Sequence, residues 1–294
     1  MTVVAVIPTY RPGPEVLALA QQLRADGIPV VVADDASPCT YDPLFRGIVS
    51  GDVAPGESAG VQPVRVVRYA RNEGIARSLN AGLELASELG APWLLTVDQD
   101  SSLPQGYVAA LLEVAQESLR AGLPVGAVGA EVIGDASGDI GYPTRTHASG
   151  LLVTEEIMQT GSLWNVAALL SVGGFDRDLG MDAVDAAACL RLREQGMLIA
   201  VAPGTSLGHT LGDSRQISVL GRSLVVTGHG PQRRTSMMRN RLKLFPAEFA
   251  QSPTHAFRTI RRVGVNAVLG ATVEGNRWEK AKASIRGLRP RRDR

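Results

Sequence analysis

Cysteine, lysine and aromatic side chains are all scarce in this 294-residue chain. The two cysteines, Cys39 and Cys189, show neither metal-ligand spacing nor a disulfide framework, which fits a reducing compartment. The three lysines, at 243, 280 and 282, leave no Walker A loop, and no G-x-G-x-x-G occurs, so neither phosphate-binding fingerprint is present. No apolar run approaches the roughly 20 residues of a membrane span. The N-terminus passes from Met1 into an apolar strand without the charged segment of a secretion signal. A soluble, cytoplasmic protein is therefore expected. Aromatics make up only 4% of residues, so Val, Leu and Ala must fill the core; a hydrophobic content of 45% suffices for one.

Charge is nearly balanced at +1, but unevenly spread. Residues 254–294 hold 11 Arg and Lys against 3 acids, and the preceding 253 residues hold 19 against 26. This basic end suits an anionic partner such as a membrane surface or phosphate, or is a solvated helical tail. Nothing points to nucleic acid.

Continuous apolar runs at Val3–Ile7, Val30–Ala33, Val64–Tyr69 and Leu94–Val97 read as buried strands. Between them, Pro14–Ala25 and Ile75–Leu89 carry helical periodicity, so a right-handed βαβ sheet is expected. Further on, Leu103–Ala121 reads as a helix with Pro104 in its first turn, and Val125–Ile133 as a strand. Residues 134–146 read as loop, Leu151–Val153 as a strand, and Leu163–Val172 gives mixed signals. Asp182–Gln195 reads as a helix closed by Gly196, and Leu198–Val201 as a short strand. Residues 51–63 and 212–236 read as loops, with helix resuming from Arg239.

The informative positions are strand ends. Pro8-Thr9-Tyr10, Asp34-Asp35-Ala36-Ser37 and Asp98-Gln99-Asp100-Ser101 each follow an apolar run. Parallel strands bring such ends to one edge, where open α/β sheets bind ligands. An Asp there can accept from a pyrimidine N3–H, and a Tyr can stack on a base. The i, i+2 spacing of Asp98 and Asp100 can put both carboxylates on one side of an extended segment. Hard oxygen ligands of this kind suit Mg²⁺ or Mn²⁺ on a substrate diphosphate; taken alone, the motif also fits a solvated acidic turn. In Arg71-Asn72-Glu73-Gly74, Gly74 lets the chain turn into a helix whose N-terminus favours phosphate. Arg71 and Arg77 reach a diphosphate or line a solvated helix face.

These motifs, with Asn80, Gly173-Gly174-Phe175-Asp176, Asp182-Ala183-Val184-Asp185 and Cys189-Leu190-Arg191, resemble the family 2 glycosyltransferases over roughly residues 3 to 245. The form Asp98-Gln99-Asp100-Ser101, with His209-Thr210-Leu211-Gly212-Asp213, resembles the bacterial rhamnosyltransferase branch. The resemblance implies the GT-A fold, a Rossmann-like, mostly parallel sheet with helices on both faces, here with a C-terminal helical extension. It implies a GT-A domain over 1–245, divided into a nucleotide-sugar half (1–101) and an acceptor half (102–245), and a basic helical extension over 246–294. Inverting transfer from dTDP-L-rhamnose to a hydroxyl of a glycan or lipid-linked acceptor is then expected. The residues themselves argue only for a nucleotide diphosphate.

On this reading Pro8, Thr9, Tyr10, Asp34, Asp35, Arg71, Asn72, Gly74, Asp98, Gln99, Arg234 and Arg239 bind the nucleotide. Asp98, Asp100 and His209 hold Mg²⁺ or Mn²⁺. Asp185 is the base, with Asp182 as second choice; a carboxylate at a helix N-terminus is equally an ordinary cap. Arg233, Arg234 and Arg239 close over the diphosphate as a lid or form a basic loop without contacts. Ser149-Gly150 admits a sugar or serves a turn. The chain departs from the family pattern at Ala187, where a further acid is usual, and at Thr235-Ser236, where aromatics are usual. In the C-terminal segment, apolar residues interleaved with Arg258, Arg261 and Arg262 suit an amphipathic helix at an anionic membrane, a subunit contact or a core cap. A nucleotidyltransferase is disfavoured because Pro8-Thr9-Tyr10-Arg11-Pro12 replaces its Gly- and Lys-rich loop. A transferase using a UDP- or GDP-linked sugar and an inactive nucleotide-sugar-binding subunit both stay compatible with the same residues.

Overall fold

The computed structural model describes residues 3–50, 64–135, 138–209, 215–219, 222–226 and 228–289. They form two compact units. The first comprises Met1–Ile133, Gly141–Gly180 and Val184–His209; the second comprises Gly134–Ile140, Met181–Ala183 and Thr210–Arg294. The loop expected over 51–63 lies outside the described residues.

The first unit opens with β1 (Val3–Thr9), α1 (Glu15–Ala25), β2 (Val30–Asp34), α2 (Asp42–Ser50), β3 (Val64–Arg68), α3 (Ile75–Glu88) and β4 (Trp93–Thr96). Strands β3, β2, β1 and β4 run parallel in that order. Strands β1 and β2 are buried along their whole length, as their unbroken apolar runs require. Alternation divides β1 between two faces. Val3, Ala5 and Ile7 pack with Val16, Leu19 and Leu23 of α1. Gly82 of α3 comes against Val6 on the opposite face, so closely that a Cβ there would lie 2.3 Å from that of Val6.

The chain continues through β5 (Ser101–Ser102), α4 (Tyr107–Arg120), β6 (Val125–Asp135), β7 (Gly138–Gly141), β8 (Thr144–Thr146), β9 (Leu152–Thr154), β10 (Ser162–Asn165), α5 (Val166–Ser171), α6 (Val184–Glu194) and β11 (Leu198–His209). Beyond β4 the sheet order is β10-β6-β11-β9-β8, with β10 antiparallel to both β4 and β6. Trp93, Trp164 and Phe175 are fully buried in this unit. Trp164 and Phe175 meet edge to face at 5.3 Å, and the Trp164 indole donates to the Thr96 hydroxyl at 2.9 Å.

Several expected boundaries move. Pro104 lies outside α4, which starts at Tyr107 after a left-handed Gly106. Positions 134–146, expected as loop, contain the end of β6, β7 and β8; β8 is exposed at every residue, so it carries no apolar period. Strand β11 runs to His209 rather than Val201, and α2 is a helix absent from the expectation although Leu44, Phe45, Ile48 and Val49 fall at helical spacing. Asp182 falls outside α6 because Ala183, at φ 63°, takes a left-handed turn before the helix begins.

The second unit holds the β12 (Arg215–Val219) and β13 (Arg222–Val226) hairpin and helices α7 (Pro231–Gln251), α8 (Pro253–Thr272) and α9 (Arg277–Gly287). The loop expected over 212–236 thus contains a hairpin and the start of α7, and the boundary expected at 245 falls inside α7. Arg234 is buried among these helices. It donates to the carbonyls of Asn266 at 2.7 Å and His229 at 3.2 Å, and pairs with Glu274, which also pairs with Lys280. Burial pushes the Glu274 carboxyl up, but hydrogen bonds from Lys280 and Arg234 hold it below its ordinary range. Truncating one member of a buried ionic cluster leaves the others uncompensated. Arg234→Ala is expected to lower stability by about 3 kcal/mol in urea unfolding; an unchanged midpoint would show that the cluster holds nothing together.

Candidate functional site

The parallel pairing sets the ends of β1, β2 and β4 along one edge. Asp34, fully buried, accepts from the Thr9 hydroxyl at 3.5 Å, the Ser37 hydroxyl, the Ser37 N–H at 3.1 Å and Arg68 Nε at 3.0 Å. Burial opposes the Arg68 charge, yet Asp34 and Asp42 outweigh it and raise its pKa. Asp35 turns to the next loop. Its Oδ1 and Oδ2 accept the N–H groups of Glu73 and Gly74, each at 2.8 Å, and its carbonyl accepts from Asn72 Nδ2 at 3.2 Å. Asp34, Asp35 and Asn72 therefore meet at this edge, with these contacts made to protein groups.

Gly74 sits between that carboxylate and a second backbone. Its φ is +93°, and a Cβ would lie 2.5 Å from the carbonyl oxygen of Gly180. That carbonyl accepts from the Ala76 N–H at 3.4 Å, occupying one donor of the α3 N-terminus expected to face a phosphate. Arg71 and Arg77 both pair with Glu73, and the Arg77 guanidinium lies 4.1 Å from the Tyr69 ring centre. Asn80 secures the neighbouring Gly173–Phe175 segment: its amide donates to the Phe175 carbonyl and accepts the Phe175 N–H, both at 2.9 Å.

At the end of β4 the Gln99 carboxamide grips the backbone of Tyr10. It accepts the Tyr10 N–H at 2.9 Å and donates to the Tyr10 carbonyl at 3.4 Å. This leaves the Tyr10 side chain exposed at the rim, with the Arg11 guanidinium 5.1 Å from its ring centre. Asp98 is half-buried and Asp100 exposed. The Asp98 N–H donates to the Thr160 hydroxyl at 3.0 Å, and Gln159 Nε2 donates to Asp98 Oδ1. Next in the chain, β5 pairs with β11, setting the backbone of His209 opposite Ser101. Ser101, the residue after Asp100, and the backbone of His209 are thus neighbours. The His209 side chain and residues 210–213 lie outside the described residues. Asp98 and Asp100 offer hard carboxylate oxygens, the latter exposed to solvent, of the kind taken by a small divalent cation that retains water and phosphate ligands.

Asp185 opens α6, and its Oδ1 accepts the Ala186 N–H at 2.8 Å. Burial first, and then the Asp185 charge, keep both the Tyr142 hydroxyl and the Cys189 thiol protonated. Ser149 and Gly150 form an exposed turn around the ring of His147, which lies 2.9 Å from the Ser149 hydroxyl. In the second unit, Asp182 Oδ1 pairs with Arg233 Nε at 3.0 Å, and its carbonyl accepts from Asn240 at 2.7 Å. The nucleotide role expected of Arg234 conflicts with its burial and its contacts with Glu274, Asn266 and His229. Arg239 has a buried Nε with no hydrogen-bond partner among the described residues. Burial, with Arg233 and Arg234 nearby, pushes the His229 imidazole down to about 4, so it is neutral at pH 7. Sequence reasoning missed Arg68, Gln159 and Thr160, which lie far along the chain from the acids they meet.

Residues 4–130 match the family described as glycosyl transferase family 2. The dTDP-rhamnosyl transferase RfbF of Shigella flexneri is 26% identical over 257 residues, covering 80% of this chain and 77% of that protein. Among solved structures, S. aureus TarS 1–349 in complex with UDP-GlcNAc superposes with a TM-score of 0.58 at 14% identity, covering 98% of this chain and 80% of that one. GalNAc-T7 with UDP, GalNAc and Mn²⁺ gives 0.56 at 14% identity, covering 81% and 47%. The structural likeness is one of fold, the GT-A fold. Residues 4–130 are thus similar to family 2 glycosyl transferases, and the chain as a whole is similar to a rhamnosyltransferase.

A side chain at position 74 would have to adopt a left-handed φ and also displace the Gly180 backbone. Gly74→Ala is expected to cost about 2–3 kcal/mol in urea unfolding; a variant as stable as the parent would refute the tight apposition.

Proposed function

We propose that this protein is a family 2 glycosyltransferase that moves L-rhamnose from dTDP-L-rhamnose to a hydroxyl of a glycan or lipid-linked acceptor, with inversion and with Mg²⁺ or Mn²⁺. The observation that carries the reading is the convergence on one sheet edge of Tyr10, Asp34, Asp35 and the Asp98-Gln99-Asp100 segment, beside the backbone of His209. The likeness to RfbF supports the donor, and GalNAc-T7, solved with Mn²⁺, supports the cation. A UDP-linked donor is the competing reading, since TarS was solved with UDP-GlcNAc.

Residues 1–101 make the nucleotide half. Tyr10, held by Gln99, offers its ring to the base, while Asp34 and Asp35 shape the wall behind it. Asp98 and Asp100, with His209, would hold the cation, which when bound offsets the charge of the departing diphosphate. Residues 102–245 make the acceptor half. Asp185 takes the proton of the acceptor hydroxyl as its oxygen attacks the anomeric carbon from the face opposite dTDP. The bond from that carbon to the phosphate oxygen breaks, and its electron pair leaves with dTDP. The Ala186 N–H holds Asp185 Oδ1 at the start of α6. Asp182, whose carboxylate pairs with Arg233, is the weaker candidate for base. Arg239, whose buried Nε has no hydrogen-bond partner among the described residues, is a better candidate than Arg234 to meet an anion.

We also assign the C-terminal helices to peripheral contact with an anionic membrane. Helix α8 contains no acid, and Phe257, Arg261, Val265 and Val268 are exposed along it at helical spacing. On α9, Trp278, Lys282, Ile285 and, just beyond it, Arg289 repeat the pattern, with Trp278 78% exposed. Aromatic and aliphatic groups interleaved with cations suit the headgroup region of anionic lipid.

Asp185→Asn is expected to cut transfer by about 10²-fold or more while leaving dTDP binding by calorimetry unchanged; near-normal turnover would remove Asp185 from the base role. Sedimentation with phosphatidylglycerol vesicles is expected to carry the protein down, and phosphatidylcholine vesicles are not. Trp278→Ala with Ile285→Ser should abolish the effect, and equal sedimentation with both lipids would contradict a charge-read surface.

A further inference from the structure

The strongest unexplained feature is the turn Gln159-Thr160-Gly161, wrapped around the end of β4 although 61 positions separate Gln159 from Asp98. Three anchors fix it. The Thr96 hydroxyl donates to the Gln159 carbonyl, the Gly161 N–H donates to the Thr96 carbonyl at 2.7 Å, and the Tyr107 hydroxyl donates to the Gly161 carbonyl at 2.6 Å. Gly161 is required, since its φ is +70° and a Cβ would lie 2.5 Å from Leu207 and 2.6 Å from the Tyr107 hydroxyl. The turn then delivers two side chains to the acidic motif. The Thr160 hydroxyl accepts the Asp98 N–H and lies 2.9 Å from the Ser101 hydroxyl. The Gln159 amide nitrogen donates to Asp98 Oδ1.

That contact fixes how the amide is turned, because only its NH₂ end is attracted to a carboxylate. The other end, Oε1, is buried and has no hydrogen-bond partner among the described residues, on a side chain only 8% exposed. A buried acceptor is retained where a donor reaches it. Asp98 lies at one end of this amide, so a ligand gathered by Asp98 is a source of such a donor.

We propose that Gln159 positions Asp98 through its NH₂ group and binds an O–H of the ligand through Oε1. That O–H belongs either to a water on the divalent cation or to a hydroxyl of the donor sugar. The inference rests on the proposed cation and nucleotide-sugar site at Asp98. Partners that orient a ligating carboxylate commonly govern metal affinity as strongly as they govern rate.

The test measures Mn²⁺ binding by electron paramagnetic resonance, and dTDP and dTDP-L-rhamnose binding by calorimetry, on the full chain. Gln159→Leu is expected to weaken Mn²⁺ binding in the presence of dTDP about tenfold. Equal loss for dTDP and dTDP-L-rhamnose assigns Oε1 to a cation-bound water; extra loss for the sugar nucleotide assigns it to a sugar hydroxyl. Wild-type affinities for all three in Gln159→Leu would overturn the proposal. Gln159→Glu, of the same shape, guards against misfolding of the leucine variant. It replaces the amide donor to Asp98 with a second carboxylate, so wild-type affinities for Mn²⁺, dTDP and dTDP-L-rhamnose in folded Gln159→Glu would also overturn the proposal. If the wild-type chain binds no Mn²⁺ and Asp98→Asn changes nothing, the cation reading itself fails, and the cation-water role fails with it. The sugar-hydroxyl role is then decided by dTDP-L-rhamnose affinity in Gln159→Leu alone.

Discussion

The first unit depends on how Gly74 is held. From one side, both oxygens of Asp35 take the N–H groups of Glu73 and Gly74; from the other, the Gly180 backbone lies closer than any side chain would permit. This joins the end of β2, the start of α3 and the segment that leads, five residues later, to Asp185. Asn80, one turn into α3, fastens the same segment further back at Phe175. Residues proposed to bind the nucleotide and the residue proposed to take the proton therefore share one backbone frame. That coupling matters because in-line transfer tolerates little displacement between reacting atoms.

The parallel strands are legible in the sequence because full burial writes an unbroken apolar run, and their acidic ends are legible because polar residues interrupt those runs abruptly. The partners of those acids are not. Arg68, Gln159 and Thr160 reach Asp34 and Asp98 only through sheet order, which no local period encodes. The exposed strand β8 reads as loop because an all-polar strand lacks the alternation that marks burial on one face. Arg234 reads as part of a lid because a basic run looks solvated in sequence. Its acidic partner, Glu274, lies 40 positions away on another part of the helical unit.

The site also shows how soft motifs divide their labour. Asp35, Gly74, Asn80 and Gln99 make their observed contacts with backbone, and so supply geometry. Tyr10 and Asp100 remain exposed at the rim. Rigid positioning by one set around reactive groups of the other is what electrostatic preorganisation requires. The fold agrees with the structural likenesses, and residues 4–130 with the family match; the activity, the donor and the cation are the steps beyond them.

Thermal denaturation with dTDP-L-rhamnose, UDP-GlcNAc and a GDP-linked sugar, each with Mn²⁺ and again with excess EDTA, tests the central claim most directly. The account predicts that dTDP-L-rhamnose with Mn²⁺ raises the midpoint most, and that EDTA removes most of the gain. A larger shift with a UDP- or GDP-linked sugar, or a dTDP-L-rhamnose shift untouched by EDTA, would contradict it.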